Sequence, residues 1–275
     1  MEFTKLLSTE ELSGILSCYG VDPMPTGVAA ETISSGLIHS TWKVALPSGT
    51  YVIQRMNTKV FADPAAVCNN ARMLKNFLAT KDADYLFVCP LETTSGSSIV
   101  EHGGSTYRMF HFVTNSRVYD VVECPEVAAA AAKSFGRLTS LLSEFDCSSL
   151  HIPIANFHDV ALRYQQFDGA LLEGNKAKVE KSKDLIEFLQ SQRLIVDAYY
   201  DLLYDPNFKL RVTHHDTKIS NVLFDSEDPN KPLCVIDLDT VMPGYFISDI
   251  GGKYYPALWL VVISAIFNLI EFTAI

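Results

Sequence analysis

The chain has 275 residues, which at about 150 residues per domain predicts two domains or lobes. Its net charge of −10 argues against a nucleic-acid-binding protein, because neutralising phosphates requires a basic surface. A hydrophobic share of 48% argues against a disordered chain, and six cysteines without a C-x-x-C pair argue against a disulfide framework or a thiolate zinc site. We therefore expect a protein of the reducing cytoplasm.

The first third of the chain predicts strands interrupted by one helix. An N-terminal helix is expected after the capping box of Ser8 and Glu11. Asp63 and Pro64 then predict the N-cap and first turn of a second helix that runs through Leu78. Alternating or apolar runs predict strands at 32–33, 40–46, 51–56, 87–91, 98–101 and 107–112, with turns at 47–49 and 103–104.

From Cys124 onward the apolar spacing becomes helical. Residues 125–144 and 183–203 carry apolar side chains every three to four positions, which predicts two long helices. Two short apolar segments at 222–224 and 233–238 bracket a polar turn and predict a β-hairpin among the helices. We therefore predict an α+β, bilobal protein-kinase-like fold with a small β-rich lobe at 1–110 and a helical lobe at 111–251.

The most informative motif is H-x-D-x-x-x-x-N at 214–221, followed by a strand and the sequence D-L-D at 237–239. Phosphoryl transfer needs a carboxylate that orients or deprotonates the attacking hydroxyl, and oxygen ligands that hold Mg²⁺ against nucleotide phosphates. The motif predicts Asp216 as the base and His214 as the brace of the loop. It also predicts Asn221 and Asp237 as ligands of Mg²⁺.

Other polar residues of the motif allow two interpretations each. Asp239 could be a further metal ligand or an acid of a surface turn. Lys218 could lie near the transferred phosphate, as the corresponding lysine of protein kinases does, or be solvated. His215 receives no role.

At these residues the chain resembles the aminoglycoside phosphotransferase and choline kinase superfamily, and within it the N-acetylhexosamine 1-kinases. The resemblance extends from about residue 15 to 251. Its motifs lie at 36–41, 51–57, 135–138, 150–151, 156–159, 213–224 and 235–244. It implies that ATP and Mg²⁺ bind between a nucleotide-binding N-terminal lobe and a C-terminal catalytic and substrate lobe. The implied reaction is phosphorylation of the anomeric hydroxyl of N-acetylglucosamine or N-acetylgalactosamine.

The resemblance also implies binding residues outside the catalytic loop. Gly36, His39, Ser40, Thr41 and Gln54 would contact the nucleotide. Gln54 takes the register at which protein kinases place a lysine, and the helix that follows has no glutamate to pair with it. His158 and Asp159 are candidates for binding the sugar, with the alternative that Asp159 only caps a helix over 160–172.

The C-terminal segment departs from the resemblance after Gly251. Fifteen of the nineteen residues 257–275 are apolar, and they account for most of the positive mean hydropathy of +0.13. Residues 252–275 could be a non-native tail from truncation or a frameshift, a buried helix or a membrane anchor; Glu271 disfavours the last. A helical lobe that lacks its last helices exposes an apolar face, so we expect low solubility and weak activity.

Three functions remain open at this point. The first is a monomeric, cytoplasmic sugar 1-kinase that does not bind nucleic acid. The second is another small-molecule kinase of the same fold, of the aminoglycoside, choline or homoserine type. The third is a catalytically inert or membrane-tethered product of truncation.

Overall fold

The computed structural model describes residues 7–21, 28–33 and 38–254, with the backbone alone for 251–254. Gly36 and nearly all of the apolar tail therefore lie outside the described residues. The N-terminal lobe consists of two helices and five strands: α1 (Thr9–Cys18), β1 (Glu31–Ile33), β2 (Ser40–Leu46), β3 (Gly49–Arg55), α2 (Pro64–Lys81), β4 (Val100–His102) and β5 (Ser105–His111).

The five strands form one antiparallel sheet in the order β1-β2-β3-β5-β4. Alternation along each strand gives the sheet an apolar and a polar face. Trp42, Ile53 and Met109 point to the apolar face, where they pack with Leu12 and Ile15 of α1. The side chains one position away, which include Arg108 of β5, point to the opposite face. This polar face is the one that contacts the second lobe.

The C-terminal lobe begins at Ser116 and is mainly helical. Its elements are β6 (Ser116–Arg117), α3 (Pro125–Leu141), α4 (Val160–Glu173), α5 (Lys176–Lys181), α6 (Lys183–Ser191), α7 (Leu194–Tyr204), β7 (Arg211–Thr213), β8 (Val222–Asp225), β9 (Pro232–Val235), β10 (Met242–Gly244) and α8 (Ile247–Tyr254). Strands β6, β8 and β9 form one small sheet, and β7 pairs with β10 in another. The main core joins α2 and α3 to β8 and β9 through Leu74, Phe135 and Phe224.

Several predicted helix signals are confirmed at the level of single hydrogen bonds. Ser8 and Glu11 form both bonds of the capping box. The Asp63 carboxylate accepts from the Ala66 amide at 2.9 Å and starts α2 with Pro64 in its first turn. In α1 and α2, local hydrogen bonding therefore places the first residue of the helix where the sequence predicted it.

Two predicted elements differ from the structure. Residues 87–91 are not a strand, because this segment adds only a single ladder bond to β5, from the Leu91 amide to the Met109 carbonyl at 2.7 Å. The long helix predicted at 183–203 is divided into α6 and α7, which meet at Gln192 and Arg193. Within the described part of the chain, no helix is both long and apolar enough to cross a membrane.

Candidate active site

The loop that carries the catalytic motif, residues 214–221, follows β7. His214 is buried at the start of this loop. Its Nε2 donates to the Ile236 carbonyl at 3.1 Å, so Nδ1 is left to accept from the Asp216 amide at 3.3 Å. Thr240 donates its hydroxyl to the His214 carbonyl at 2.7 Å. The His214 side chain therefore links the loop to the end of β9 and fixes the backbone of Asp216.

A second support of this loop, Asp249 of α8, was not found by sequence reasoning. Its two carboxylate oxygens accept from the backbone amides of His214 and His215 at 2.9 and 2.7 Å. Its carbonyl accepts from the Thr217 hydroxyl at 2.7 Å. Burial raises the pKa of Asp249, and His214 and the two amides oppose that rise. Asp249 thus accepts hydrogen bonds from two backbone amides that have no acceptor within the loop itself.

Asp216 is held by the two other polar residues of its motif. Asn221 donates through Nδ2 to both the Asp216 carbonyl and its Oδ2, each at 2.9 Å. Lys218 donates from Nζ to the same Oδ2 at 2.6 Å. Among the described residues Oδ1 of Asp216 has no hydrogen-bond partner, and the side chain is one-third exposed. One carboxylate oxygen is therefore fixed while the other can meet a substrate hydroxyl.

Asp237, which the motif predicts as a metal ligand, lies two residues after the end of β9. Its backbone is left-handed at φ 60°, a strained conformation for a non-glycine residue and one that concentrates at functional sites. The residue is exposed, but protein atoms around its carboxyl group remove part of the solvent from it. This burial, with the carboxylates of Asp239 and Asp216, raises the pKa of Asp237. No described residue hydrogen-bonds to this carboxylate, so a cation is the partner that would relieve the crowded negative charge.

The structure gives Asp239 a different position from either predicted one. It is buried, with both oxygens used by Arg108 at 2.6 Å and one of them also by Nε2 of His39 at 2.7 Å. Burial alone would raise the pKa of Asp239, but the Arg108 guanidinium and His39 hold it well below its usual range. The burial conflicts with the prediction of a surface acid, and both oxygens of the predicted metal ligand have protein partners.

Most of the residues predicted to bind nucleotide have side chains that contact other protein groups. Besides its bond to Asp239, His39 accepts at Nδ1 from the Asn57 amide at 3.0 Å. Thr41 accepts from Gln54 at 3.2 Å, and Ser40 accepts from Arg55 at 3.1 Å. Gly36 lies outside the described residues. If this segment binds phosphates, it does so mainly through backbone amides.

His158 and His215 form a pair beside the catalytic loop. Their Nδ1 atoms are 2.9 Å apart, so one ring donates to the other, and Phe157 stacks on His158 at 4.6 Å between centroids. Burial lowers the pKa of His158 to about 4 and that of His215 to about 3. Both rings are therefore neutral at physiological pH.

These two histidines line a cavity of about 210 Å³ in the C-terminal lobe. The rest of its wall includes Phe157, Tyr199, Tyr245 and aliphatic side chains. Asp159 also lies in the wall, where one of its oxygens accepts from the Leu162 amide at 2.9 Å. Asp159 is thus the N-cap of α4, as the alternative interpretation predicted.

Within the described ranges, no three His, Cys, Asp or Glu side chains converge as a metal site. Asp237 and the Oδ1 of Asn221 still suit Mg²⁺ bound with a nucleotide, because such an ion takes one or two protein ligands and completes its shell with phosphates and water.

The fold and this loop agree with a comparison to known sequences. The sequence model of the phosphotransferase enzyme family, APH, matches residues 29–260. The chain belongs to this family. The match spans both lobes and includes every motif residue described above.

Solved structures support the fold of this phosphotransferase at low sequence identity. An aminoglycoside phosphotransferase from Alicyclobacillus acidocaldarius is 15% identical, with a TM-score of 0.58 over 93% of this chain and 75% of that one. Spectinomycin phosphotransferase in complex with ADP and spectinomycin is 14% identical, with a TM-score of 0.56 over 97% and 80%. A microcompartment-associated aminopropanol kinase is 16% identical, with a TM-score of 0.57 over 97% and 82%. The predicted α+β kinase-like fold is confirmed.

Proposed function

We propose that this phosphotransferase transfers the γ-phosphoryl group of ATP to the anomeric hydroxyl of an N-acetylhexosamine, either N-acetylglucosamine or N-acetylgalactosamine. The motifs that resemble the sugar 1-kinases suggest this acceptor. The observation that carries the choice is the lining of the cavity beside the Asp216 loop, which is uncharged except for the Asp159 carboxylate.

A cationic amine needs carboxylates in its binding site, and this cavity offers few. Among the described residues of its wall, Asp159 is the single acidic one, and one oxygen of that carboxylate already caps α4. The neutral His158 ring can exchange hydrogen bonds with hydroxyl groups without attracting or repelling charge. The volume of about 210 Å³ is enough for a single sugar ring.

In the proposed reaction Asp216 acts as the base. The acceptor hydroxyl meets Oδ1 of Asp216 and loses its proton there as its oxygen bonds to the γ-phosphorus of ATP. The bond between the γ-phosphorus and the bridging oxygen breaks, and ADP leaves. Asn221 keeps the carboxylate oriented, which is the main contribution a protein makes to phosphoryl transfer.

Asp237 and Asn221 would hold Mg²⁺, which supplies neutralisation of the phosphate charge. Lys218, now bound to Asp216, can turn to a transferred phosphate because its side chain is half exposed. ATP is proposed as donor because a similar structure, spectinomycin phosphotransferase, holds ADP. The cleft between the lobes is its proposed site, with the backbone of 36–41 as the phosphate contact.

A panel of acceptors tests this function. Release of ADP is measured with Mg²⁺, ATP and N-acetylglucosamine, N-acetylgalactosamine, aminoglycosides, choline, homoserine or aminopropanol, with Asp216→Asn as the inactive control. We expect release with an N-acetylhexosamine and none with the amines. Release of ADP with an amine but with neither N-acetylhexosamine would contradict the proposal. A folded protein that releases ADP with none of these acceptors would contradict it as well.

A further inference from the structure

The polar face of the N-terminal sheet carries a row of side chains that cross three strands. Thr41 of β2 lies opposite Gln54 of β3, and Gln54 lies opposite Arg108 of β5. Gln54 donates to Thr41 at 3.2 Å and accepts from Arg108 Nε and Nη2 at 3.0 and 2.8 Å. This row fixes the direction in which the Arg108 guanidinium leaves the sheet.

The row of side chains ends at Asp239 in the C-terminal lobe. Arg108 donates to both carboxylate oxygens of Asp239, which lies 131 positions later in the chain, at 2.6 Å each. His39 reaches the same carboxylate from the segment before β2. Each of the two ion-paired residues is only 4% exposed. A bidentate pair with this burial is among the strong and directional contacts of a protein.

The bonding of His39 also fixes its protonation. A backbone amide can only donate, so Nδ1 of His39 accepts from Asn57 and carries no proton. The proton is therefore on Nε2, where it is donated to Asp239. The Asp239 carboxylate thus has a guanidinium and a neutral imidazole as partners, and it needs no metal ion for its charge.

Arg108 itself has no N–H group left to donate to a phosphate. Four of its five N–H groups are used by Gln54 and Asp239, and the guanidinium also interacts with the Cys68 thiol of α2. Arg108 therefore touches β3, α2 and the turn that follows β9. Asp237 is two residues before Asp239 in that turn, so a contact that fixes Asp239 also fixes Asp237.

We propose that Arg108, Asp239 and His39 form a buried clasp that holds the N-terminal sheet against the turn carrying Asp237, with Asp239 a positioning residue and not a ligand of Mg²⁺. The positioning role rests on the proposed function, because the turn matters for catalysis only if Asp237 meets the nucleotide. The clasp differs from the strand lysine and helix glutamate pair of protein kinases, which this chain lacks, because Arg108 has no N–H group left for a phosphate.

The first test separates a clasp from a metal ligand without turnover. ADP binding is measured by calorimetry over a Mg²⁺ series for wild type, Asp237→Asn, Asp239→Asn and Arg108→Met, which breaks the clasp without removing an oxygen ligand. We expect Asp237→Asn to raise the Mg²⁺ concentration needed the most, and Asp239→Asn and Arg108→Met to raise it equally and by less. A shift in Asp239→Asn that Arg108→Met does not reproduce would identify a metal ligand and overturn the proposal. A shift in Asp237→Asn alone would overturn the positioning role, whereas no shift in any variant would contradict the proposed metal site and with it the positioning role.

The second test measures the coupling of the pair. Tm is compared for Arg108→Met, Asp239→Asn and the double variant, with Lys231→Met and Asp225→Asn as a matched exposed pair. Each single change leaves a buried charge without its counter-charge, so we expect both to lower Tm and the double variant to lose much less than their sum. Additive losses, as expected for the exposed pair, would overturn the clasp.

The double variant also separates positioning from stability. It removes both charges, so it is expected to fold, yet it no longer fixes the turn. We expect kcat to stay about 10²-fold low with the KM of the sugar unchanged. A double variant that regains both Tm and kcat shows a purely structural pair and overturns the positioning role.

Discussion

Asn221 donates from one amide nitrogen to both the backbone carbonyl and the carboxylate of Asp216, at 2.9 Å each. This double contact closes the catalytic loop over six residues and leaves the second Asp216 oxygen for a substrate. The arrangement explains why the motif separates the two residues by four positions. A shorter spacing would not let the 3₁₀ turn at Ile219–Asn221 bring the amide back to the acid.

Asp216→Asn should abolish most turnover while the protein stays folded. General-base catalysis contributes about 10²- to 10⁴-fold, so kcat should fall by about that factor. The Asp216 side chain is one-third exposed, so Tm should change little. Turnover is measured by ADP release, with Asp228→Asn in the β8–β9 turn as an exposed control. Retained activity in Asp216→Asn would show that another group takes the proton.

Asp249→Ala should weaken both the fold and the catalytic loop. The change leaves the buried amides of His214 and His215 without partners, at a cost of about 1–3 kcal/mol for each. Urea unfolding measures this loss. Asp249→Asn retains one acceptor and should lose less. If Asp249→Ala unfolded at the wild-type urea midpoint, the loop would not depend on this carboxylate.

The histidine pair should make the protein sensitive to acid. In the folded state the pKa of His158 is about 4 and that of His215 about 3, against 6.5 when unfolded. As pH falls from 6.5 to 4 the unfolded chain takes up protons that the folded chain does not, so the free energy of unfolding decreases by up to about 1.4 kcal/mol per pH unit for each histidine. His158→Gln should show a shallower dependence in urea unfolding at pH 6.5, 5.5 and 4.5. Equal slopes would contradict the depressed pKa.

Two glycine-to-alanine changes should act in opposite directions. A Cβ on Gly244 would lie 2.5 Å from the His215 ring, so Gly244→Ala should displace that ring and cost about 1–3 kcal/mol. Gly136 lies in α3 with open space around it, so Gly136→Ala should stabilise by about 0.5–1 kcal/mol. Thermal unfolding measures both. The KM of the sugar should rise in Gly244→Ala alone; a neutral Gly244→Ala would contradict the close packing.

Local signals in the sequence predicted the parts of the fold that local bonds determine. The caps of α1, α2 and α4 depend on residues within three positions, and all three were predicted. The predicted strand at 87–91 was wrong because strand formation depends on a partner elsewhere in the chain. The division between α6 and α7 was missed because neither glycine nor proline marks it.

In the candidate site, too, the residues close together in sequence were predicted and those with distant partners were missed. The catalytic loop was recognisable because its residues lie within one octapeptide, and the structure brings Asp216, Lys218 and Asn221 together. Arg108 and Asp249 were missed because their partners lie 131 and 35 positions away. His215 was passed over because its contact with His158 spans 57 positions. A row of polar residues on a predicted strand was the signal that could have pointed to Arg108.

The position of the phosphate on the product decides whether this phosphotransferase is a sugar 1-kinase. The protein is incubated with Mg²⁺, ATP and N-acetylglucosamine or N-acetylgalactosamine, and the product is examined by ¹H–³¹P correlation NMR. We expect a correlation between phosphorus and the anomeric proton that disappears with Asp216→Asn. Phosphorus coupled to any other sugar proton, or a phosphorylated amine in place of a sugar, would contradict it.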